Sequence, residues 1–350
     1  MVDRLELERF DALEPLRETW TQLAAAQRNV FATWEFADVW WRTFGRGRPL
    51  HAYACSRRDD PVAILPLYSW RARPLHVLRF VGAPEGDELG PIHGGADGRE
   101  LAEGIALGLR RAGAQVLLAE HVTGDTGWPG RLGGRPLRRE GFPVLRYDGG
   151  WDAYLAGRSR NFRSTLGRAE RRLAAEGAAF RLTTAATLER DLDSLFRLHA
   201  ARWGAETPFL RAAAFHREFA RAAIEHGWLR LWVVEVGGAA IAAWHGYRFA
   251  GVESYYQSGR DPSWERFRLG TLLVAHSIRE AMRDGLGEYR FLRGEEPYKY
   301  RFTDEDPGLL SFGISRGAAG AGAVAGLALA VRGRRLAHSA RPGLARLRRT

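Results

Sequence analysis

Residues 229–292 carry the pattern that most restricts the fold. Three runs with strand periodicity, Leu229–Val236, Ala239–Phe249 and Val252–Ser258, follow one another closely, and Gly237-Gly238 joins the first two. A Gly-Gly pair accepts positive φ at both central positions of a tight hairpin, so the runs predict an antiparallel meander. A turn from Gly259 to Leu269 follows, and after it Thr271, Val274, Ala275, Ile278, Ala281 and Met282 recur at helical spacing. A strand at Glu288–Leu292 ends the series. This order predicts a mixed, mostly antiparallel sheet covered by a helix. The start of that helix aims backbone N–H groups, with Arg266 and Arg268 beside them, at whatever occupies the turn. An anion belongs there.

The first half of the chain has the same outline. Helical patterns at Leu13–Gln27 and Trp34–Phe44, the second capped by Thr33, precede strands at His51–Ser56, Val62–Ser69 and Leu75–Val81. The Gly/Pro-rich loop Gly82–Gly95, a helix at Arg99–Ala112 and a strand at Gln115–Glu120 follow. Residues 121–142 read as a long surface loop before a last strand at Pro143–Tyr147. In the second half a strand at Phe180–Thr183 and helices at Leu188–Trp203 and Ala212–His226 stand before the meander. The two halves share an order of elements without a residue-level repeat. The expected domains are 1–150 and 151–315, with a basic linking helix at 158–176 and a basic tail at 316–350.

Composition narrows the function. The 350 residues carry a net charge of +11, almost all of it arginine, since Lys299 is the single lysine. Such a balance favours phosphates, nucleic acid or an anionic membrane surface. The helix at 158–176 holds Arg158, Arg160, Arg163, Arg168, Arg171 and Arg172, and reads either as a solvated link or as a phosphate or tRNA contact. The lone Cys55 excludes an intramolecular disulfide and fits a reducing cytoplasm. The N-terminal MVDRLELERFDALEPL has no apolar run, so no signal peptide is expected. In the tail an apolar run of about 14 residues is too short to span a bilayer. It reads as a terminal helix or, with the arginines after it, as a peripheral contact with anionic lipid at the inner membrane face. No phosphate-loop, zinc-helix or nucleophile-elbow motif occurs, and the scattered histidines lack metal-ligand spacing, so no metal is expected.

LFRLHAARW (Leu195–Trp203), YYQSGRDPSW (Tyr255–Trp264), RLGTLLVAHSI (Arg268–Ile278) and FLRGEEPYK (Phe291–Lys299) carry a resemblance. Over residues 155–302 the chain resembles the GNAT acyltransferase superfamily. More closely it resembles the branch named for the cellulose-biosynthesis CelD acetyltransferase, which is related to the FemAB peptidyltransferases. The resemblance implies two tandem GNAT-like domains and a cytoplasmic N-acyltransferase. Acetyl-CoA or another acyl-CoA would be the donor, and an amine of a small molecule, sugar or envelope precursor the acceptor. Two other readings stand beside it: a FemAB-like transferase using aminoacyl-tRNA, and a non-catalytic partner in a polysaccharide-assembly complex. The sequence departs from the superfamily at the phosphate turn. Phe267 stands where the usual Gln/Arg-x-x-Gly-x-Gly/Ala motif has Gln or Arg, and the branch's Ser-Pro-Gly is Arg268-Leu269-Gly270 here.

Acyl transfer to an amine needs a base for the amine, a donor for the thioester oxygen and an acid for the thiolate. Glu253 and Glu295 are candidates for the base, with Glu295 preferred beside Tyr298 and Lys299. Lys299 is a candidate catalytic residue that would position a carboxylate or phosphate, or would simply pair with Glu295 or Glu296, and Tyr256 is the candidate hydroxyl donor. Arg266, Arg268, Leu269, Gly270 and Thr271 are expected to hold the donor phosphates. His199, Arg202 and Trp203, on one helix face, would wall the acceptor site with Gln257 and Tyr298, although Arg202 stacked on Trp203 is also an ordinary structural pair. Strict alternation would set Val252, Ser254, Tyr256 and Ser258 on one face of their strand and Glu253, Tyr255 and Gln257 on the other.

Overall fold

The structure is a computed structural model that describes residues 5–123 and 127–346; the side chains of 334–346 lie outside the description. Its contacts divide into two compact units. One contains Met1–Gln27, Phe31–Glu140 and Gly308–Thr350, the other Arg28–Val30 and Gly141–Pro307.

In the first unit, β1 (Glu6–Phe10), α1 (Arg17–Gln27) and α2 (Trp34–Phe44) precede β2 (Leu50–Arg57), β3 (Asp60–Arg71), β4 (Val77–Phe80) and the short β5 (Ile92–His93). Then come α3 (Gly98–Arg111), β6 (Val116–Thr123), α4 (Trp128–Arg131) and β7 (Arg135–Glu140). The helix starts are chemically marked. Thr33 accepts from the N–H of Phe36, and Asp97 and Glu100 form a reciprocal capping box at α3. β7 lies inside the stretch read as a loop. Its RPLRRE sequence is polar and mostly exposed, so it shows no apolar alternation.

The second unit opens with β8 (Val144–Arg146), α5 (Trp151–Ala156), α6 (Arg160–Ala175) and β9 (Ala179–Leu182). It continues through α7 (Leu188–Trp203), α8 (Pro208–Arg211), α9 (Ala213–Glu225), β10 (Leu229–Val236), β11 (Ala239–Phe249) and β12 (Val252–Arg260), then α10 (Leu269–Arg283) and β13 (Glu288–Arg290). The chain then returns to the first unit with β14 (Leu309–Ser315) and α11 (Gly317–Arg346).

The strand orders are β1-β2-β3-β4-β6-β14-β7, with β5 on β3, and β8-β13-β12-β11-β10-β9. Each sheet is antiparallel except at one pair, β4 with β6 and β12 with β13. Parallel neighbours need a crossover, supplied by α3 and α10. Each meander-helix-strand series therefore builds a half-sheet of the same kind, and the whole is a mixed α/β fold in two units. The outer neighbour of the crossover strand comes from elsewhere in the chain. β8, read as the last strand of the first half, pairs with β13, and β14 pairs with β6.

Core packing follows the periodicity. In α10, Leu272, Leu273, Val274, Ala275, Ile278, Ala281 and Met282 are buried against Trp244, Tyr289 and the α6 residues Leu166 and Leu173. Each large aliphatic side chain there contributes about 1.5–3 kcal/mol. Thr271, expected on that face, is only half-buried at the first turn. The core of the first unit gathers Tyr53, Leu65, Leu78 and Leu117 under Leu101, Ile105 and Leu109 of α3. At the tail, Val324 of α11 packs with Val77 and Val116, while Leu327 and Leu329 are exposed. The arginines expected to touch lipid beyond position 333 lie outside the described side chains. Among the described residues no helix is long and apolar enough to cross a membrane.

Candidate active site

The site grows from the point where β12 and β13 part. They pair only over Val252–Ser254 with Glu288–Arg290. β12 runs on to Arg260, whereas the other strand turns away through Leu292 (φ 54) and Gly294 (φ 126). The register of β12 on β11 also slips by one residue, since His245 faces Gln257 but Gly246 faces Tyr255. Tyr256 is the extra residue of the resulting bulge. Gly246 is required here, because a Cβ would stand 2.2 Å from the Ser254 carbonyl oxygen.

The bulge reverses the expected alternation, because one inserted residue moves everything beyond it to the other face. Tyr255 and Ser258, assigned to opposite faces by strict alternation, therefore meet, Oη to Oγ at 2.7 Å. Tyr298 Oη donates to Tyr255 Oη at 3.2 Å. Trp244 stacks on the Tyr255 ring with centroids 5.4 Å apart. Burial raises the pKa of both tyrosines, so they remain protonated donors at neutral pH. Arg202 Nη1 lies 3.4 Å from Ser258 Oγ, and its guanidinium sits 4.2 Å over the Trp203 ring. Burial, and then the neighbouring Arg260 guanidinium, lower the Arg202 pKa.

α7 delivers Arg202 because Gly259 lets it approach the strand. A Cβ on Gly259 would lie 2.4 Å from the His199 backbone nitrogen. His199 Nδ1 is 3.2 Å from the Ser258 carbonyl oxygen and Nε2 is 3.1 Å from Thr207 Oγ1. A carbonyl only accepts, so Nδ1 carries the hydrogen and Thr207 donates to Nε2. His199 thus fixes the strand backbone.

Lys299 is buried, with Nζ on the Arg293 carbonyl at 2.8 Å and on Glu296 Oε2 at 3.0 Å. It holds the 293–296 turn and sets the Glu296 carboxylate. Glu295 is exposed, its side chain against Gly141. Tyr256 lies on the opposite face from Tyr255, with its ring among Phe209, His216, His245 and Tyr247. Gln257 is half-buried. Glu253 is fully buried, paired with Arg248 at 2.7 Å, and burial raises its pKa to about 7.

α10 starts without a side-chain cap, on Arg268 in a left-handed conformation (φ 57) that non-glycine residues rarely adopt. The Thr271 and Leu272 N–H groups bond to the Arg268 carbonyl, which leaves the N–H groups of Leu269 and Gly270, ahead of them, without a helical partner. A cleft of about 720 Å³ begins there. Arg268 and Thr271 form one wall, Arg158, Ser159 and Arg168 another, and Arg301 closes it beside a single acid, Asp304. The other side chains of the expected phosphate turn point elsewhere. Leu269 is buried in the core, Arg266 lies 4.8 Å over the Phe267 ring, and a Cβ on Gly270 would meet Arg260 Nη1 at 2.7 Å. Phe267, where the sequence departs from the motif of the superfamily it resembles, is a core residue, 3% exposed.

The basic helix read as a link is α6, part of the second unit's core. Leu166, Ala169 and Leu173 are buried, Arg163 donates to the last carbonyls of α5, and Arg172 sits over Phe267. Sequence reasoning missed Tyr255, Ser258, Arg260, Glu296 and Arg301. The bulge that assembles the first pair leaves only the neighbouring Gly246 as a signal. Among the described residues no group of three or more His, Cys, Asp or Glu could hold a metal ion.

Residues 160–300 match the family described as acetyltransferase (GNAT) domain. No curated protein matches the sequence. Among solved structures, FemX superposes with a TM-score of 0.63 at 12% identity, over 89% of this chain and 97% of that one. The C-terminal domain (DUF2156) of a putative lysylphosphatidylglycerol synthetase from Agrobacterium fabrum gives 0.57 at 11%, over 92% and 96%. L-PGS from Bacillus licheniformis gives 0.56 at 12%, over 85% and 96%. At these identities the likeness is one of fold.

Proposed function

We propose that the GNAT-type acyltransferase domain of residues 160–300 moves an acyl group, acetyl in the first instance, from acyl-CoA to an amine. The acceptor amine would belong to a small molecule, a sugar or an envelope or polysaccharide precursor, as the resemblance to the CelD-like branch implies. One arrangement carries this reading: a chain of hydroxyls at the open end of the β12–β13 pair, in the unit whose arginine-lined cleft opens at α10.

The direction of that chain follows from donor counting. Tyr255 Oη accepts from Tyr298, so its own hydrogen goes to Ser258 Oγ, which also accepts from Arg202. The Ser258 hydrogen is left to point outward. It would donate to the thioester oxygen as charge develops, and two donors behind it would strengthen that bond. The amine attacks the carbonyl carbon, a C–N bond forms, the C–S bond breaks, and the thiolate takes a proton. Glu296, held by Lys299, would receive the amine proton through water, with Glu295 as the alternative base. On this reading the hydroxyl comes from Tyr255 rather than Tyr256. Arg158, Arg168, Arg268, Arg301 and Thr271 would hold the donor phosphates.

Calorimetry with acetyl-CoA tests the donor, and a folded protein that takes up none refutes the reading. Ser258→Ala and Tyr255→Phe are expected to lower kcat about 10²-fold, in the range found for lost oxyanion donors, with little change in KM for the donor. Glu296→Ala should slow turnover far more than Glu295→Ala; the reverse order would transfer the role to Glu295.

The fold likeness to FemX and the arginines of α6 favour a second reading, an aminoacyl-tRNA donor. Binding of tRNA that weakens steeply with salt, without acetyl-CoA binding, would establish it. For α11 we propose a peripheral contact with anionic lipid, supported by the exposed Leu327 and Leu329 ahead of an arginine-rich sequence. Equal sedimentation with zwitterionic and anionic vesicles would contradict it. A cytoplasmic location remains part of the same proposal.

A further inference from the structure

We infer that the acceptor is an amino acid or a close analogue, an amine whose carboxylate lies one or two carbons away and is gripped between Arg202 and Arg260. This rests on the acyltransferase reading above and names the substrate class for that site.

The first ground is a cationic pocket without a matching anion. Ser258 and Arg260 are alternate residues of β12 and so share a face. Arg202 reaches Ser258 Oγ from α7, and Arg260 is near enough for its charge to act on Arg202. The direct partners of Arg202 are neutral, the Ser258 hydroxyl and the Trp203 ring. The carboxylate that acts on it, Glu296, is already engaged by Lys299 at 3.0 Å. Among the described residues Arg260 has only Glu265 within salt-bridge range, at 3.7 Å, and the Glu265 side chain is 77% exposed. The Arg260 guanidinium itself lies over Gly270, at the uncapped start of α10, a further source of positive potential. Two guanidiniums brought together and partly desolvated repel each other unless an anion sits between them, and a planar carboxylate matches their paired donors. The lowered pKa of Arg202 has the same origin, burial followed by Arg260.

The second ground is where the donor keeps its charge. The cleft between α6 and the start of α10 has four arginines against one aspartate, enough for the donor phosphates. The arm between those phosphates and the thioester is uncharged, so an anion beside Ser258 must come from the acceptor. Arg202 Nη1 stands 3.4 Å from the hydroxyl that would serve the thioester oxygen. A carboxylate on Arg202 is therefore only a few bonds from an amine attacking that thioester. A long linker between amine and acid would not fit this spacing. The ammonium form of such an acceptor would meet the Glu296 carboxylate, which completes a charge-complementary pair of contacts.

The test uses the full chain, acetyl-CoA as donor and release of the CoA thiol as readout. The acceptors are the common amino acids other than cysteine, each beside its carboxamide, which keeps the amine and removes the negative charge. Expected is at least one amino acid acylated with kcat/KM tenfold or more above its amide. That preference should fall at least tenfold in Arg260→Gln, while the acetyl-CoA Kd shifts less than threefold. Arg202→Gln should behave alike, and Arg202→Lys should recover part of the preference. The inference is overturned if amides are used as well as acids, if a protein that binds acetyl-CoA acylates no amino acid, or if Arg260→Gln weakens acetyl-CoA tenfold. The last result would give both arginines to the donor. Absence of any acetyl-CoA binding by the wild type would instead fell the acyltransferase reading, and this inference with it.

Discussion

His245 of β11 is fully buried, neither ring nitrogen has a hydrogen-bond partner, and burial lowers its pKa from 6.5 to about 3. His216 beside it is lowered by burial and then by His245. A depressed folded pKa means that the unfolded chain binds the proton first. The stability that neutral His245 allows is whole above about pH 6.5 and is lost as the pH falls toward 3, and His216 adds a contribution of the same sign. Each contributes up to about 1.4 kcal/mol per pH unit across its window. Glu253 has the opposite sign: its folded pKa of about 7 lies above the ordinary 4.5, so its contribution is present below 4.5 and lost as pH rises toward 7. Urea unfolding at several pH values should therefore show His245→Phe flattening the acid limb and Glu253→Gln removing a loss near neutrality. Unchanged pH profiles would mean that water reaches both groups. None of this was legible in sequence. Glu253 was noticed there only as a candidate base, and burial, which sets its pKa, depends on residues far along the chain.

At the scale of elements, the contact of α7 with β12 decides the site. On Gly259 a Cβ would meet the His199 nitrogen and the Leu198 carbonyl carbon, both backbone atoms that cannot turn aside. Gly259→Ala is expected to cost about 1–3 kcal/mol through overpacking. It should also push Arg202 off Ser258, so that turnover falls along with Tm. A variant of normal Tm and activity would show that the helix shifts freely. The meander, the helix after it and its buried face were readable because apolar periodicity and a Gly-Gly turn are local signals. The bulge at Tyr256 was not, because nothing in the alternation of that strand distinguishes one inserted residue from a regular run. The error then spread to every side chain beyond it. α6 was misjudged for a related reason, since its many arginines masked Leu166, Ala169 and Leu173.

For the whole molecule, the exchange of strands is the feature with consequences. β14 lies between β6 and β7 in the first unit, although 167 residues of the second unit, Gly141–Pro307, precede it. Truncation after Pro307 should therefore unfold the first unit, whereas residues 141–307 alone, with all strands of their sheet, should fold and bind acetyl-CoA. Near-ultraviolet circular dichroism and calorimetry on the two fragments check this; a first unit that stays folded in the 1–307 fragment would contradict it. The sequence by itself determined the doubled order of elements, the helix start behind the Arg/Gly turn, and the resemblance of residues 155–302 to acyltransferases. These follow from spacing, turn chemistry and short motifs, which act over a few residues. Only the tertiary structure decided that Tyr255 and Ser258 share a face, that α6 and α10 enclose one cleft, and that of its two neighbouring acids Lys299 engages Glu296. Those outcomes depend on strand register and on contacts between segments many residues apart, and register is set by how a whole sheet closes around its core.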